Sequence, residues 1–113
     1  MNSVLKNEVL QLHAQICAGL ADPNRIMILY ELSNGPRNVG ELYTALNMPQ
    51  SLTSRHLNIL RERGMVTAER QGTLMQYSLT DKRLIQALDL LRAVLRDTLA
   101  KRAELVEAIG SQR

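Results

Sequence analysis

Gln50-Ser51-Leu52-Thr53-Ser54-Arg55-His56-Leu57-Asn58-Ile59-Leu60-Arg61-Glu62-Arg63-Gly64 decides how this chain folds. Thr53, Leu57 and Leu60 recur at spacings of four and three, the period of a helix with one inward stripe, and Gly64 closes it. The opposite face carries Gln50, Ser51, Ser54, Arg55 and Asn58. Ordinary solvated helix faces are rich in Lys and Glu. A face that meets base edges in a DNA groove needs short side chains for close approach, and Arg or Asn for paired hydrogen bonds. After Lys6 the next lysine is Lys82.

Working outward, Val39 to Leu46 forms another short helix, broken from the first by Asn47-Met48-Pro49, and two helices so joined are a helix-turn-helix. After Gly64 the period changes. Met65 to Glu69 leads through Arg70-Gln71-Gly72-Thr73 into Leu74 to Leu79, two short strands around a Gly-containing turn. A hairpin directly after a recognition helix is a wing, and Arg70 near its tip can reach a phosphate or the adjacent minor groove.

Upstream, Leu5, Val9, Leu12 and Ile16 place a helix over Val4 to about Leu20. Asp22-Pro23 stops it and starts the next, Pro23 to about Leu32, with Asp as N-cap and Pro at the first helical position. Thr80-Asp81 caps a long helix to about Ile109, striped with Leu84, Leu88, Leu91, Leu95, Leu99, Leu105 and Ile109. The fold class is mainly α with a β-hairpin wing, a winged helix-turn-helix in the order α1-α2-α3-α4-β-β-α5, filling residues 1–113 as one domain. A chain of 113 residues has room for one modest core. The last helix exceeds what that core can cover, so its stripe and that of the first helix are expected to form a homodimer interface.

Apolar residues make up 45% and charged residues 22%, with no Phe or Trp, so the core must be aliphatic. The net charge of +3 is unevenly spread. Residues 1–36 hold Lys6 and Arg25 against Glu8, Asp22 and Glu31, whereas residues 37–72 hold Arg37, Arg55, Arg61, Arg63 and Arg70 against Glu41, Glu62 and Glu69. The positive excess therefore begins at the DNA-reading segment. The first twenty residues mix Lys6, Glu8, Gln11 and His13 among apolar positions, unlike a signal peptide, and no run approaches a membrane span. With Cys17 as the single cysteine there is no internal disulfide, and a cytoplasmic setting with no membrane partner is expected. A nucleophile-base arrangement, a Gly-rich phosphate loop and a metal cluster are all missing, which argues against an enzyme or a bound cofactor.

Asp22-Pro23-Asn24-Arg25-Ile26-Met27-Ile28-Leu29 resembles the D-P-x-R-x-x-I-L of ArsR/SmtB-type repressors. Gln50-Ser51-Leu52-Thr53-Ser54-Arg55-His56-Leu57-Asn58-Ile59-Leu60-Arg61 is similar to their Q-x-x-x-S-[RH]-H-L-x-x-L-[RK], and Gly64-Met65-Val66 with Arg70-Gln71-Gly72 to Tyr77 fits their G-L-V, R-x-G, Y pattern. The likeness covers roughly residues 8 to 100. It implies a winged helix dimer on double-stranded DNA, usually a repressor released by a ligand or chemical signal, here an unidentified small-molecule or redox effector. The DNA-contacting set is expected to be Gln50, Ser51, Thr53, Ser54, Arg55, His56, Asn58, Arg61, Arg70 and Gln71. For His56 a packed, hydrogen-bonded place beside the DNA face competes with a phosphate contact; Arg61 and Arg63 are phosphate contacts or solvated.

The sensing sites of such repressors do not carry over. Their C-V-C-D-L falls on Asn38-Val39-Gly40-Glu41-Leu42, without either thiolate, and on the last helix Asp81 and Asp97 stand with Arg83 and Val94 roughly where histidines would be. Pro49 stands where the family has Ser or Thr before the recognition helix. His13 and Cys17, four apart, would face the same way and could sense metal or oxidation, although a lone cysteine on an apolar helix is ordinarily core. A winged helix that binds only proteins would replace Ser51, Ser54 and Arg55 with apolar or acidic residues, and this chain keeps all three.

Overall fold

Helix termini set the architecture. The computed structural model describes residues 1–111, so the last two residues of the 1–113 span lie outside the described residues. It contains α1 (Ser3–Leu12), extended by a π-helical turn (His13–Cys17), then α2 (Pro23–Leu32), α3 (Val39–Leu46), α4 (Gln50–Glu62), β1 (Val66–Gln71), β2 (Leu74–Leu79) and α5 (Arg83–Ser111). Residues Met1–Lys82 form one compact unit, and the helix from Arg83 forms another.

Asp22 caps α2, its Oδ1 accepting from the Asn24 N–H at 2.8 Å, with Pro23 in the first turn where a missing N–H costs nothing. Asn38 caps α3 in a reciprocal box: its Oδ1 accepts from the Glu41 N–H at 2.8 Å, and its own N–H donates to Glu41 Oε1 at 3.1 Å. Helices α3 and α4 end alike. Asn47 turns left-handed at φ 52°, and the N–H of Met48 donates to Tyr43 O at 3.0 Å; Gly64 does so at φ 71°, and the N–H of Met65 donates to Leu60 O at 2.9 Å. Both are Schellman endings, which satisfy the last carbonyls and tuck the following apolar side chain inward. Met65 is fully buried as a result.

The core of the first unit is Ile28, Leu29, Leu32, Leu42, Leu57, Leu60, Met65, Val66 and Tyr77, aliphatic apart from the one tyrosine. The strands pair antiparallel from Val66 with Leu79 to Gln71 with Leu74, and Gly72 at φ 64° supplies the positive φ of the two-residue loop. Arg70 and Gln71 thus belong to β1, where the sequence pattern assigns them to the turn; cross-strand pairing with Met75 and Leu74 extends the ladder by two residues. Arg37 adds one further rung, its backbone exchanging hydrogen bonds with Tyr77 at 3.0 and 2.8 Å, which pins the wing's base to the loop before α3.

A single unbroken helix from Val4 to about Leu20 is the expectation from spacing, but the helix widens into the π turn at His13–Cys17. The carbonyls at and after this turn are taken by arginines from elsewhere. Arg63 Nη1 donates to Ala14 O at 2.6 Å and Gln15 O at 3.1 Å, and Arg25 donates from Nε to Gly19 O at 2.7 Å and from Nη2 to Ala18 O at 3.3 Å. These tertiary donors tie the end of the first helix to α2 and to the end of α4.

Arg25 has a third acceptor, His56 Nδ1 at 3.2 Å from Nη1. Guanidinium only donates, so Nδ1 must be the bare nitrogen of a neutral imidazole whose proton sits on Nε2. Burial holds the His56 pKa below its ordinary 6.5, with Arg25 and Arg55 acting in the same direction and Asp22 opposing them. A histidine that resists protonation in the folded state binds more protons when unfolded. Its stabilising contribution is complete above pH 6.5 and is lost as pH falls through the lowered folded value. We expect the thermal midpoint to drop as pH falls below 6.5, and His56→Gln to flatten that slope. An unchanged slope in thermal melts of the variant would place the acid sensitivity elsewhere.

Candidate nucleic-acid interface

Helix α4 turns one side to the core and the other outward. Thr53, His56, Leu57 and Leu60 are buried; Gln50, Ser51, Arg55, Asn58 and Arg61 are exposed, and Ser54 is half-buried between the two sides. Two of the expected DNA contacts are corrected here. Thr53 is 0% exposed and donates its hydroxyl to Pro49 O at 3.0 Å, and His56 is 2% exposed and engaged by Arg25, so neither side chain reaches a groove. The Thr53 bond also sits in the first turn of α4, where Pro49 provides no side-chain cap.

The remaining face is polar and unencumbered. Arg55, Arg61 and Arg70 form no ion pair among the described residues, so their guanidinium groups are available for an anionic partner. Arg70 and Gln71 are exposed on β1 and, as consecutive strand residues, point to opposite faces of the wing. Glu62 and Glu69 are also exposed, but they lie at the last turn of α4 and on the wing, away from Gln50, Ser51 and Ser54 at the helix's beginning. What this arrangement can do chemically is donate hydrogen bonds and positive charge to a groove.

Arg63 lies at the end of the same helix but serves the first helix, through the bonds to Ala14 and Gln15. Nothing in local spacing distinguishes it from Arg61. Arg25 was visible only as the fourth residue of the Asp22-Pro23-Asn24-Arg25 stretch, with no local hint that its partner stands 31 positions later.

Asn38 and Glu41 are occupied in capping α3, Gly40 has no side chain, and among the described residues no three His, Cys, Asp or Glu side chains converge as a metal site requires. His13 and Cys17 are both exposed on the π turn, contrary to a core position for the thiol.

Residues 22–68 match the model of the bacterial regulatory protein arsR family, a stretch running from the cap of α2 through the first residues of β1. NmtR of Mycobacterium tuberculosis, an HTH-type transcriptional regulator, is 43% identical over 76 residues, which are 67% of this chain and 63% of NmtR, so less than two thirds of that relative is spanned. CmtR of Mycobacterium tuberculosis, likewise an HTH-type transcriptional regulator, is 39% identical over 107 residues, covering 87% of this chain and 91% of CmtR. The solution structure of the homodimeric winged helix-turn-helix DNA-binding domain of Mb0332 from Mycobacterium bovis superimposes with a TM-score of 0.73 at 30% identity, over 87% of this chain and 91% of that one. With its helix-turn-helix, its wing and these likenesses along most of its length, the chain belongs to the ArsR family of bacterial regulatory proteins.

Proposed function

We propose that the protein is a transcriptional repressor that binds an inverted-repeat operator as a homodimer, with α4 in the major groove and the β1–β2 wing on the flanking backbone. The observation that carries this reading is the exposed face of α4, where Gln50, Ser51, Arg55 and Asn58 offer short polar contacts and bidentate donors without a lysine or a carboxylate among them. Gln50, Ser51, Ser54, Arg55 and Asn58 face base edges, while Arg61, Arg70 and Gln71 hold phosphate or the minor groove.

Dimerisation follows from apolar surface. Leu5, Val9 and Leu12 on α1 are about half exposed, and on α5 Leu91, Leu95, Leu99, Leu105 and Ile109 are 51–62% exposed. Stripes of this length need a cover, and a second copy supplies a self-complementary one. Residues 1–113 then act as a single DNA-binding domain whose first and last helices meet their counterparts. The homodimeric state given for the Mb0332 domain supports this arrangement. No helix among the described residues is long and apolar enough to cross a membrane.

A twofold dimer presents its recognition helices to successive major grooves about 34–36 Å apart, so an isolated half-site should bind far more weakly than the inverted repeat. Titration of both duplexes tests this, and equal affinities would refute the dimeric reading.

Arg55→Ala and Arg70→Ala should differ in kind. Loss of Arg55 is expected to cost about 1–3 kcal/mol and relax specificity at one position in each half-site. Loss of Arg70 should weaken specific and non-specific DNA alike and flatten the salt dependence by about two units per dimer. Binding isotherms at several salt concentrations on matched and single-mismatch duplexes separate the two.

Zinc, cadmium and arsenite should leave the DNA affinity unchanged, because positions 38 and 40 carry Asn and Gly in place of thiolates. Cys17→Ser should likewise retain DNA binding. Stoichiometric metal binding that weakens DNA affinity and disappears in Cys17→Ser would contradict the first expectation, and loss of DNA binding by Cys17→Ser in the absence of metal would contradict the second.

A further inference from the structure

The end of the first helix and the recognition helix are joined by side chains that take no part in the reading face. Arg63, immediately after α4, donates to the carbonyls of Ala14 and Gln15 inside the π turn. Arg25 joins the carbonyls of Ala18 and Gly19 to His56 in the middle of α4. Between them Gly19 is buried so tightly that a Cβ there would stand 2.7 Å from Met65 Sδ and 3.0 Å from Arg63 Cδ. Three contacts thus lock the stretch from Ala14 to Gly19 against the middle and the end of α4.

We infer that Arg63, with Arg25, braces the recognition helix against the first helix and so sets the half-site spacing that the dimer accepts; Arg63 is a positioning residue and not a phosphate contact. The inference rests on the proposed dimeric DNA-binding function, in which the first helix lies at the twofold interface. The lever is short but sufficient. Helix α4 has 13 residues and so spans about 20 Å; a pivot of about 10° at one end moves the other by about 3.5 Å, close to one base-pair step. A brace at the end and the middle of α4 removes that pivot, and a dimer whose brace is slack can meet operators that differ by a base pair in their centre. The two carbonyls that Arg63 joins lie in the π turn, where the backbone departs from the α-helical ladder, and such turns recur where a helix serves a function beyond packing.

The test uses the full chain, an inverted-repeat duplex selected from random DNA, and the same duplex with one or two base pairs added to or removed from its centre. Arg63→Met removes donors and charge, Arg63→Lys retains the charge, and Gly19→Ala keeps every charge and donor while forcing the side chains of Met65 and Arg63 to shift. Thermal melts establish that each variant is folded. The wild type is expected to prefer one spacing by about tenfold over its neighbours, and Arg63→Met and Gly19→Ala to reduce that preference to about threefold or less, with the salt slope of the wild type retained. Should Arg63→Met fail to fold, Gly19→Ala and Arg63→Lys carry the comparison, the lysine variant showing an intermediate preference. A salt slope lowered by about two units per dimer in Arg63→Met, with the spacing preference intact, would make Arg63 a phosphate contact and overturn the brace. A wild-type spacing profile in Gly19→Ala would overturn it equally. Failure of the wild type to bind any inverted repeat would refute the dimeric function itself, and this inference with it.

Discussion

The hydrogen bond from Arg25 to His56 is the contact on which the recognition helix depends. It brings a half-buried cation on α2 to a buried imidazole on α4, and the same guanidinium closes off the carbonyls of Ala18 and Gly19. Deprived of that nitrogen, Arg25 Nη1 would lose its acceptor on α4 and keep only the carbonyls of Ala18 and Gly19. The bond requires a neutral ring, because a protonated imidazole would present a second donor to a guanidinium. With His56 turned inward beside Leu57 and Leu60, the rotation of α4 about its own axis is settled, and Arg55 and Asn58 are left facing out.

The arginines divide accordingly. Among the described residues Arg55, Arg61 and Arg70 stand outward without ion-pair partners, whereas Arg25 and Arg63 are engaged with carbonyls of the first helix and Arg37 joins the wing through its backbone. A count of positive residues between 37 and 72 therefore overstates what DNA could meet. Asn38 and Glu41 cap α3, fixing the start of the helix that packs beneath α4, so these positions contribute to the geometry of the helix-turn-helix.

Both helices of the helix-turn-helix end on left-handed residues, Asn47 and Gly64, and the two endings do complementary work. The first redirects the chain through Met48 and Pro49 into α4; the second drops Met65 into the core and aims β1 along the wing. The wing is then held at its base by Arg37 and Tyr77, a single rung between residues forty apart. A long-range rung of this kind ties the base of the hairpin to the loop before α3.

Much of this was legible in the residues. Helical spacing identified α4 and its inward Leu57 and Leu60, Asp22-Pro23 located the start of α2, and Gly64 and Gly72 marked the helix end and the hairpin, because each of these signals acts through neighbours within a few positions. The exposed polar set of Gln50, Ser51, Arg55 and Asn58 followed from the same period. What local spacing could not decide was anything set by a distant partner. His56 lies one position before Leu57, at the border of the apolar stripe, and only Arg25, 31 residues earlier, turns it inward. Thr53 carried two incompatible assignments until its hydroxyl was seen bonded to Pro49. The π turn at His13–Cys17 has no signature in hydrophobic periodicity, and its carbonyls are met by Arg63, 48 and 49 residues away. Sequence by itself determined the elements and their outward chemistry, since these depend on local backbone preference and periodicity. Tertiary structure alone decided which arginines are free to meet DNA, since a guanidinium goes to whichever carbonyls and ring nitrogens the fold brings within its reach.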